Sequence, residues 1–409
     1  MRNAFILGIL AVVPMTAGVH AQETYRVSAA ETAVDLVRTP LSVKIPGSRK
    51  WVGAVVRAMP DGKPAPGQIE AVGDGVVVHW VADIIKAGSN PAWEVRLAEV
   101  KPASAPRIRV TADRAPGVDI SVDGALVTRY VTSGNDVKKP FFYPVQGPGG
   151  KMVTRHFPMK KGVTGERGDH PHHRSFWFTH GSVNGVDFWA ESAKTGRIRH
   201  RGFKTLSGGD VFAHLSSTND WGTVGGKKIL EERRDVKIYP LGGGESIWDF
   251  DLELAATDAP VKFGSTKEGS FGIRVAGTMK QTSGGKIVNS RGAKGAGQAW
   301  GKPAEWVDYY GAVGGETVGV TIMDHPTSFR HPIHWHVRDY GLFAANPFGH
   351  RHFYGKKAEK RGEHEMNKGE SIRFRFRVYF HAGNTAVSKV PQVYAGFSFP
   401  PVLTVVKAR

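Results

Sequence analysis

Eleven of the 17 histidines of this chain lie in two short windows of the sequence. One window spans residues 156–180 and is centred on Asp169-His-Pro-His-His-Arg174. The other spans residues 325–352 and is centred on His331-Pro-Ile-His-Trp-His336. Histidine acts near neutral pH as a base, an acid, a metal ligand or a hydrogen-bonding partner. Two such windows far apart in the chain predict one polar site that is assembled by folding.

The spacing of the histidines leaves several chemistries open. On a strand, His170 and His172 would share one face and His173 would lie on the other. His-x-His is a good spacing for metal ligands, and imidazole suits zinc, copper, iron or nickel. The pair His334 and His336 repeats this spacing, but the downstream Glu of a cupin-type metal site is missing. The same side chains could instead transfer protons, bind an organic ligand, or form a structural polar cluster.

A carboxylate stands in the segment Thr266-Lys-Glu-Gly269, with Arg274 on the strand that follows. A Glu held near a histidine cluster could serve as a general acid or base if its surroundings tune its pKa. An ion pair between Glu268 and Arg274 that fixes the loop is the alternative.

These motifs give a set of candidate site residues. We expect catalysis, through proton transfer or positioning, from Glu268, His170, His172, His173 and His336. We expect substrate binding from Arg174, His180, Asp187, Arg274, Trp335, Arg338, Asp339 and Asn346. No cofactor is firmly implied, and a divalent metal is the candidate, with His170, His172, His334 and His336 as its ligands.

Short apolar runs alternate with Gly, Asp, Asn and Pro turns, which predicts an all-β protein. The clearest strands, Ser371 to His381 and Ile247 to Leu254, alternate apolar and polar residues and indicate antiparallel sheets with one buried face. Four N-terminal strands are expected at residues 42–45, 51–57, 76–80 and 93–97.

Residues 1–21 read as a signal peptide. A Pro-rich stretch at residues 101–106 separates a small β-sandwich (22–103) from a large β-domain (107–385), and the tail (386–409) is expected to pack on the large domain.

Composition narrows the function classes. The chain has no cysteine, which excludes disulfides, thiolate nucleophiles and Cys-ligated metal sites. It carries a formal net charge of +18, which favours acidic partners. No stretch after the signal is apolar enough to span a membrane, and no nucleic-acid-binding motif is present. The motifs of serine hydrolases, P-loop enzymes and zincins are also missing.

Three segments in order resemble one family over about residues 120–385. They are Asp169-His-Pro-His-His-Arg-Ser-Phe-Trp-Phe-Thr-His-Gly181 with Val183-Asn-Gly-Val-Asp-Phe-Trp189, Thr266-Lys-Glu-Gly269, and Trp335-His-Val-Arg-Asp-Tyr-Gly-Leu-Phe-Ala-Ala-Asn-Pro-Phe-Gly349. They look like the family called PmoA or DUF6807, whose members are typically exported and have no settled activity. The end of the large domain, from Lys368 to Gly383, is similar to galactose-mutarotase-type supersandwich domains, which implies a sugar site on a concave sheet face.

The sequence therefore favours an exported carbohydrate-active enzyme, periplasmic or secreted. Such an enzyme would act on a glycan or glycoside by hydrolysis, elimination or epimerisation, and the net charge favours an anionic substrate. A non-catalytic glycan-binding protein and a His-ligated copper or iron oxygenase are the alternatives. The oligomeric state is left open.

Overall fold

The computed structural model describes residues 22–47, 50–99, 105–112, 116–134 and 136–408. Regular structure in these ranges is dominated by antiparallel β-sheet, so the all-β prediction is confirmed. The predicted signal peptide lies outside the described residues. None of the helices in the described ranges is long and apolar enough to cross a membrane.

The strands are numbered in chain order. The first six are β1 (Gln22–Ala29), β2 (Leu36–Ile45), β3 (Gly53–Ala58), β4 (Pro64–Val72), β5 (Gly75–Ile85) and β6 (Ala92–Ala98). The next nine are β7 (Ile108–Thr111), β8 (Val118–Val122), β9 (Ala125–Val131), β10 (Phe141–Val145), β11 (Phe176–His180), β12 (Arg197–Ser207), β13 (Ala213–Gly222), β14 (Lys228–Pro240) and β15 (Ser246–Ala255). The last ten are β16 (Val261–Phe263), β17 (Gly269–Arg274), β18 (Lys286–Asn289), β19 (Trp306–Val313), β20 (Glu316–Asp324), β21 (Trp335–Val337), β22 (Leu342–Ala345), β23 (His364–Met366), β24 (Ser371–Ala382) and β25 (Leu403–Lys407).

Helices are short and lie mainly in the second half of the chain. The α-helices are α1 (Ala296–Ala299), α2 (His350–Tyr354), α3 (Glu359–Gly362) and α4 (Val390–Ser398). Short 3-10 turns occur at Pro148–Gly150, Gly242–Gly244, Gln281–Ser283 and Lys356–Ala358.

The N-terminal unit is one seven-stranded sheet in the order β2-β5-β4-β3-β6-β1-β25. Its inward side chains form a separate apolar core that includes Val27, Trp80 and Trp93. The strands at the two ends of this order, β2 and β25, contact each other, so the sheet bends around its own core.

The larger unit consists of two eight-stranded antiparallel sheets and a small pair, β16-β23. We call β21-β22-β17-β11-β10-β9-β8-β7 the front sheet and β12-β13-β14-β15-β24-β20-β19-β18 the back sheet. The main apolar core draws on both sheets, with Phe176 and Phe271 of the front sheet packing against Phe250 and Phe376 of the back sheet. Burial of these rings is the main force that holds the two sheets together.

The alternation predicted for β15 and β24 is confirmed. Phe374, Phe376, Val378 and Phe380 are all buried, as are the inward residues of β15. The intervening polar residues lie on the other face, where Arg377 makes a two-pronged ion pair with Asp249 at 2.7 and 2.8 Å.

The C-terminal tail connects the two units. Helix α4 buries Val390, Val393 and Phe397 in a cluster that also contains Tyr379 of the back sheet. The following strand, β25, pairs with β1 of the N-terminal sheet. The tail therefore contacts the large domain through its helix, and its strand completes the sheet of the small domain, which the sequence did not indicate.

Candidate functional site

Folding brings both histidine windows to the front sheet. Strand pairing aligns Trp177 of β11 with Gly272 of β17, then Ala344 of β22, then His336 of β21. Successive side chains of a strand point to opposite faces, and the neighbours Phe176 and Phe178 belong to the core. This row therefore lies on the face of the front sheet that points away from the core. Gly272 and Ala344 are small, so the two large rings of this row, Trp177 and His336, lie at its ends.

Four aromatic rings are stacked outward from this face. His173 lies parallel to Trp177 with ring centroids 5.3 Å apart, and His170 lies parallel to His173 at 4.7 Å. Tyr340 covers the other side of His170 at 5.5 Å. We call this the ring stack. His170 adopts a φ of +44°, in the left-handed region that β-carbons disfavour, so the loop is constrained where it delivers the ring.

Two buried arginines bind the ring stack to a single carboxylate. Arg274 donates from Nη1 to Nδ1 of His173 at 2.9 Å and from Nη2 to Oδ1 of Asp169 at 3.0 Å. Arg155 donates to the same Oδ1 at 2.5 Å and to the backbone oxygen of His170 at 2.9 Å. The Arg274 guanidinium also lies over the Tyr340 ring, 4.7 Å from its centroid. These contacts fix both the ring stack and the loop that carries it.

A cavity of about 290 Å³ opens beside the ring stack. Tyr340 belongs to both the ring stack and the cavity wall, and Asp169 and Arg274, which hold the ring stack in place, also line the cavity. The remaining polar wall is contributed by Arg155, Glu166, Arg167, Lys280, Thr282 and Asp339. Of the residues predicted for substrate binding, Arg274 and Asp339 therefore line this space.

His170, His172 and His173 are neutral at physiological pH. Burial, followed by the positive charge of Lys139, lowers the pKa of His172 to about 3. Burial also lowers the pKa of His173 and, more weakly, of the exposed His170. For His170, Asp169 and Glu268 raise the pKa while Arg274 and Arg155 lower it. Neutral imidazoles accept protons or hydrogen bonds, or bind metal, and His170 is the one open to solvent.

Glu268 lies in a loop that is held by buried polar contacts. Its side chain forms an ion pair with Lys267 at 2.7 Å and is about one-third exposed. Asn346 donates to the backbone oxygens of Thr266 and Lys267 at 3.0 and 2.8 Å, so it positions this loop from beneath. The alternative pairing of Glu268 with Arg274 is wrong, because Arg274 is paired with Asp169. The charge of Glu268, like that of Asp169, acts on both His170 and Tyr340.

His336 and Arg338 form the far side of the site. His336 is 2% exposed, and burial together with Arg338 lowers its pKa to about 3. Its Nδ1 has no hydrogen-bond partner among the described residues. The Arg338 guanidinium lies between the rings of Trp300 and Tyr340, at 5.9 and 5.7 Å from their centroids, and has no carboxylate partner in the described part of the chain.

Several predicted residues have structural contacts instead. Arg174 donates to Glu191 at 2.6 Å, and Asp187 accepts from the backbone of Trp189 and Ala190. Asn346, described above, is fully buried. These three side chains hold loops rather than line the cavity.

Trp335, His180 and His334 also lie away from the ring stack. Trp335 is fully buried in the main core, where its Nε1 donates to the backbone oxygen of Ala304. His180 is buried and bonded to the backbone oxygen of Gly264 at 2.8 Å. His334 is bonded to the hydroxyl of Tyr354 at 2.8 Å, beside α2. The structure therefore separates His334 from the first histidine window.

The histidines that come together differ from the four proposed as metal ligands. His170, His172 and His173 place one nitrogen each within 4.8 Å of one another, and they are the one such group found among the described residues. His172 meets His173 edge to face at 4.5 Å. A metal ion at this point would use His173 in place of His334 and His336.

Two site residues carry no signal in the sequence. Arg155 precedes the histidine motif by a long loop, and only the fold shows that it shares Asp169 with Arg274. Lys139 is fully buried, with its Nζ 2.7 Å from Glu191, and its charge acts on His172. Neither position follows a periodic pattern or a ligand spacing.

Comparisons with known proteins give a family and two distant structural likenesses. A model described as a family of unknown function, DUF6807, matches residues 117–395. No curated protein matches the chain. An α-mannosidase from Enterococcus faecalis V583 aligns at 10% identity with a TM-score of 0.43, over 94% of this chain and 46% of that one. A glycosyl hydrolase family 38 protein from Enterococcus faecalis aligns at 10% identity with a TM-score of 0.38, over 95% and 47%.

The chain spans less than half the length of these two proteins. At such TM-scores the likeness carries no argument about function. The galactose-mutarotase-type architecture and the PmoA name stay predictions.

Proposed function

The chain belongs to the DUF6807 family, and for it we propose a carbohydrate-active enzyme, periplasmic or secreted, that acts on a glycan or glycoside. The observation that carries this proposal is the ring stack at the edge of a polar cavity. Aromatic rings pack against the apolar face of a sugar, and a few fixed polar groups then orient its hydroxyls. Tyr340 and the Arg274–Asp169 pair supply both kinds of contact in one place.

His170 is the best candidate for proton transfer. It is exposed, it lies between two parallel rings, and it is neutral, so it has a free nitrogen lone pair at physiological pH. A general base works best when its pKa is near the operating pH. His172 and His336, with pKa values near 3, are therefore better suited to hydrogen bonding than to proton abstraction.

Glu268 is the matching acid or base. Its carboxylate is partly exposed and its charge acts on both His170 and Tyr340. Asp169 is less suited to proton transfer, because Arg274 and Arg155 outweigh the effect of burial and hold the pKa of this carboxyl below its usual range. A pair formed by His170 and Glu268 is compatible with hydrolysis, elimination or epimerisation.

The test is a screen of glycans with purified mature protein, read in three ways. New reducing ends without a double bond indicate hydrolysis, ultraviolet absorbance of a conjugated double bond indicates elimination, and solvent deuterium in recovered sugar indicates epimerisation. Glu268→Gln should abolish turnover and largely keep affinity. A glycan that binds, with no turnover in any assay, would identify a non-catalytic binding protein instead.

A metalloenzyme is the second candidate, because three imidazole nitrogens lie within 4.8 Å of one another. Three histidines with an open position are a known arrangement for catalytic metals. Two observations oppose it: Arg274 already bonds Nδ1 of His173, and the cations of Arg155, Arg274 and Lys139 all act on the same cluster.

Metal analysis of protein purified without a His-tag separates the two candidates. We expect transition metal far below one per chain in the wild-type protein. About one metal per chain that is lost in a His170→Ala/His172→Ala variant would favour the metalloenzyme and contradict the first proposal's use of free imidazoles.

A further inference from the structure

Beside the ring stack, two buried guanidinium groups share one oxygen of a partly exposed carboxylate. Arg155 is 2% exposed and Arg274 is 4% exposed, and both donate to Oδ1 of Asp169. The Nε of Arg155 is buried without a hydrogen-bond partner among the described residues. Buried donors and charges are costly when they are not matched. One carboxylate therefore leaves this pair of cations undercompensated.

The surroundings restore the balance only in part. Glu166 accepts from the backbone N–H groups of His156 and Phe157 at 2.9 to 3.0 Å, and its charge also acts on Arg155. Arg167 and Lys280 line the same cavity and, in the described part of the chain, have no ion pair, so with Arg155 and Arg274 four cations face the three carboxylates of Glu166, Asp169 and Asp339. Burial and the neighbouring charge of Arg155 lower the pKa of Arg274 to about 10, although Asp169 raises it.

We propose that this cavity binds the carboxylate of an acidic sugar, so that the enzyme's substrates are uronic-acid-containing glycans. This inference rests on the proposed function and specifies its substrate class. A volume of about 290 Å³ accommodates roughly one sugar residue. A carboxylate is planar and matches guanidinium donors in two-point contacts, which are the strongest hydrogen bonds available to it. Because Tyr340 lines the cavity and also stacks on His170, the bound sugar would be adjacent to His170.

The experiment compares sugars that differ only in the acid group. Methyl glucuronide, galacturonide and mannuronide are each paired with the neutral methyl hexoside, and binding to the mature protein is measured by calorimetry at low salt. In at least one pair, we expect the acid to bind about tenfold or more tightly than its neutral partner. Added salt should reduce this preference, because the ions screen charge interactions.

Variants of Arg167 and Lys280, the two cations of the cavity wall that have no ion pair among the described residues, test which side chains produce the preference. Arg167→Ala and Lys280→Ala should each weaken binding of the acid several-fold and leave the neutral sugar unchanged. Lys227→Ala removes an exposed lysine from the β13–β14 turn, away from the cavity. It should change the binding of neither the acid nor the neutral sugar. Circular dichroism shows whether each variant is folded.

The outcomes separate this inference from the proposed function. No preference in any pair, or a preference that Arg167→Ala and Lys280→Ala leave intact, overturns the acidic-sugar site. Turnover of neutral glycans without such a preference overturns only the inference. A preference for acids with no turnover of any glycan upholds the site and contradicts the enzyme.

Discussion

Nη1 of Arg274 lies 2.9 Å from Nδ1 of His173 and donates a hydrogen bond to it. A guanidinium has donors only, so Nδ1 must be the acceptor, and the neutral ring carries its proton on Nε2. A metal ion binds the lone pair of an imidazole nitrogen, and in this tautomer that lone pair already faces Arg274. The contact therefore favours His173 as a fixed hydrogen-bonding group of the ring stack.

The tautomer of His173 can be tested by nuclear magnetic resonance of ¹⁵N-histidine-labelled protein. Burial, followed by the neighbouring His172 and the charge of Arg274, holds the pKa of His173 well below its usual value. We expect the neutral Nε2–H form throughout the range from about pH 5 to pH 8. His214, whose pKa is raised to about 9, is the internal control and should be charged over that range. An Nδ1–H form, or loss of the His173 signal on adding one equivalent of zinc, would contradict the assignment.

Gly272 is required beneath the ring stack. A β-carbon at this position would lie 2.9 Å from Cε2 and Cζ2 of Trp177, and the indole cannot move because His173 lies over it. Overpacking of a tight core costs about 1–3 kcal/mol, so we expect Gly272→Ala to lower the free energy of unfolding by this amount. Urea denaturation measures it, and near-ultraviolet circular dichroism reports the Trp177 environment.

Gly202→Ala is the matched control for that substitution. Gly202 also lies in a strand, but apart from its chain neighbours no heavy atom lies within 4 Å of the point where a β-carbon would be, so stability should stay within about 0.5 kcal/mol. Equal effects of the two substitutions would show that Trp177 is free to move.

The strands could be read from the sequence because alternation along one strand needs no knowledge of distant residues. The same rule could have corrected one site prediction. His336 faces outward from the front sheet, so its neighbour Trp335 must face the core, and the two could not both line one cleft. His170 and Arg274, both named as candidate site residues, are connected in the structure through Asp169 and Arg155.

Strand alternation could not predict that Arg155 and Arg274 share Asp169. Arg155 and Arg274 reach it from segments more than 100 residues apart, and the contacts depend on how loops close over the front sheet. His334 shows the reverse case. It has the right spacing to His336 but lies just before β21, and its side chain bonds to Tyr354 instead of the first histidine window.

Asn346 positions the Glu268 loop, and its removal should be costly. Its amide donates to two backbone oxygens and its Oδ1 accepts from the backbone N–H of Phe348 at 2.9 Å. Asn346→Ala leaves these buried groups unsatisfied, which costs about 1–3 kcal/mol for each one that water cannot reach. We expect a loss of stability by urea denaturation together with reduced turnover. Asn90→Ala, at an exposed position bonded to Glu31, should have little effect on either. Wild-type stability in Asn346→Ala would mean that the loop is held by other contacts.

The last prediction concerns the contact between the two domains, where a charge cluster makes stability depend on pH. Nε2 of His214 lies 2.9 Å from Oδ2 of Asp235, and its Nδ1 lies 3.3 Å from Oε1 of Glu70 on the N-terminal sheet. Lys237 and His79 approach the other oxygen of Glu70 at 3.2 and 2.9 Å. Burial opposes protonation of His214, but the two carboxylates outweigh it and raise the pKa to about 9.

A histidine whose pKa rises on folding stabilises the folded state most where the unfolded form is also protonated. The contribution of His214 should therefore be complete below about pH 6.5 and should disappear as the pH rises to about 9. We expect the difference in unfolding free energy between wild-type protein and His214→Gln to fall across this window by up to about 3 kcal/mol. Burial lowers the pKa of His364, so His364→Gln should show no such fall. A His214→Gln difference that is the same at both ends of the window would mean that His214 is not charged when folded, and that the domains are held at this point by the neutral contacts of Gln68 with the backbone of Val211 and Phe212.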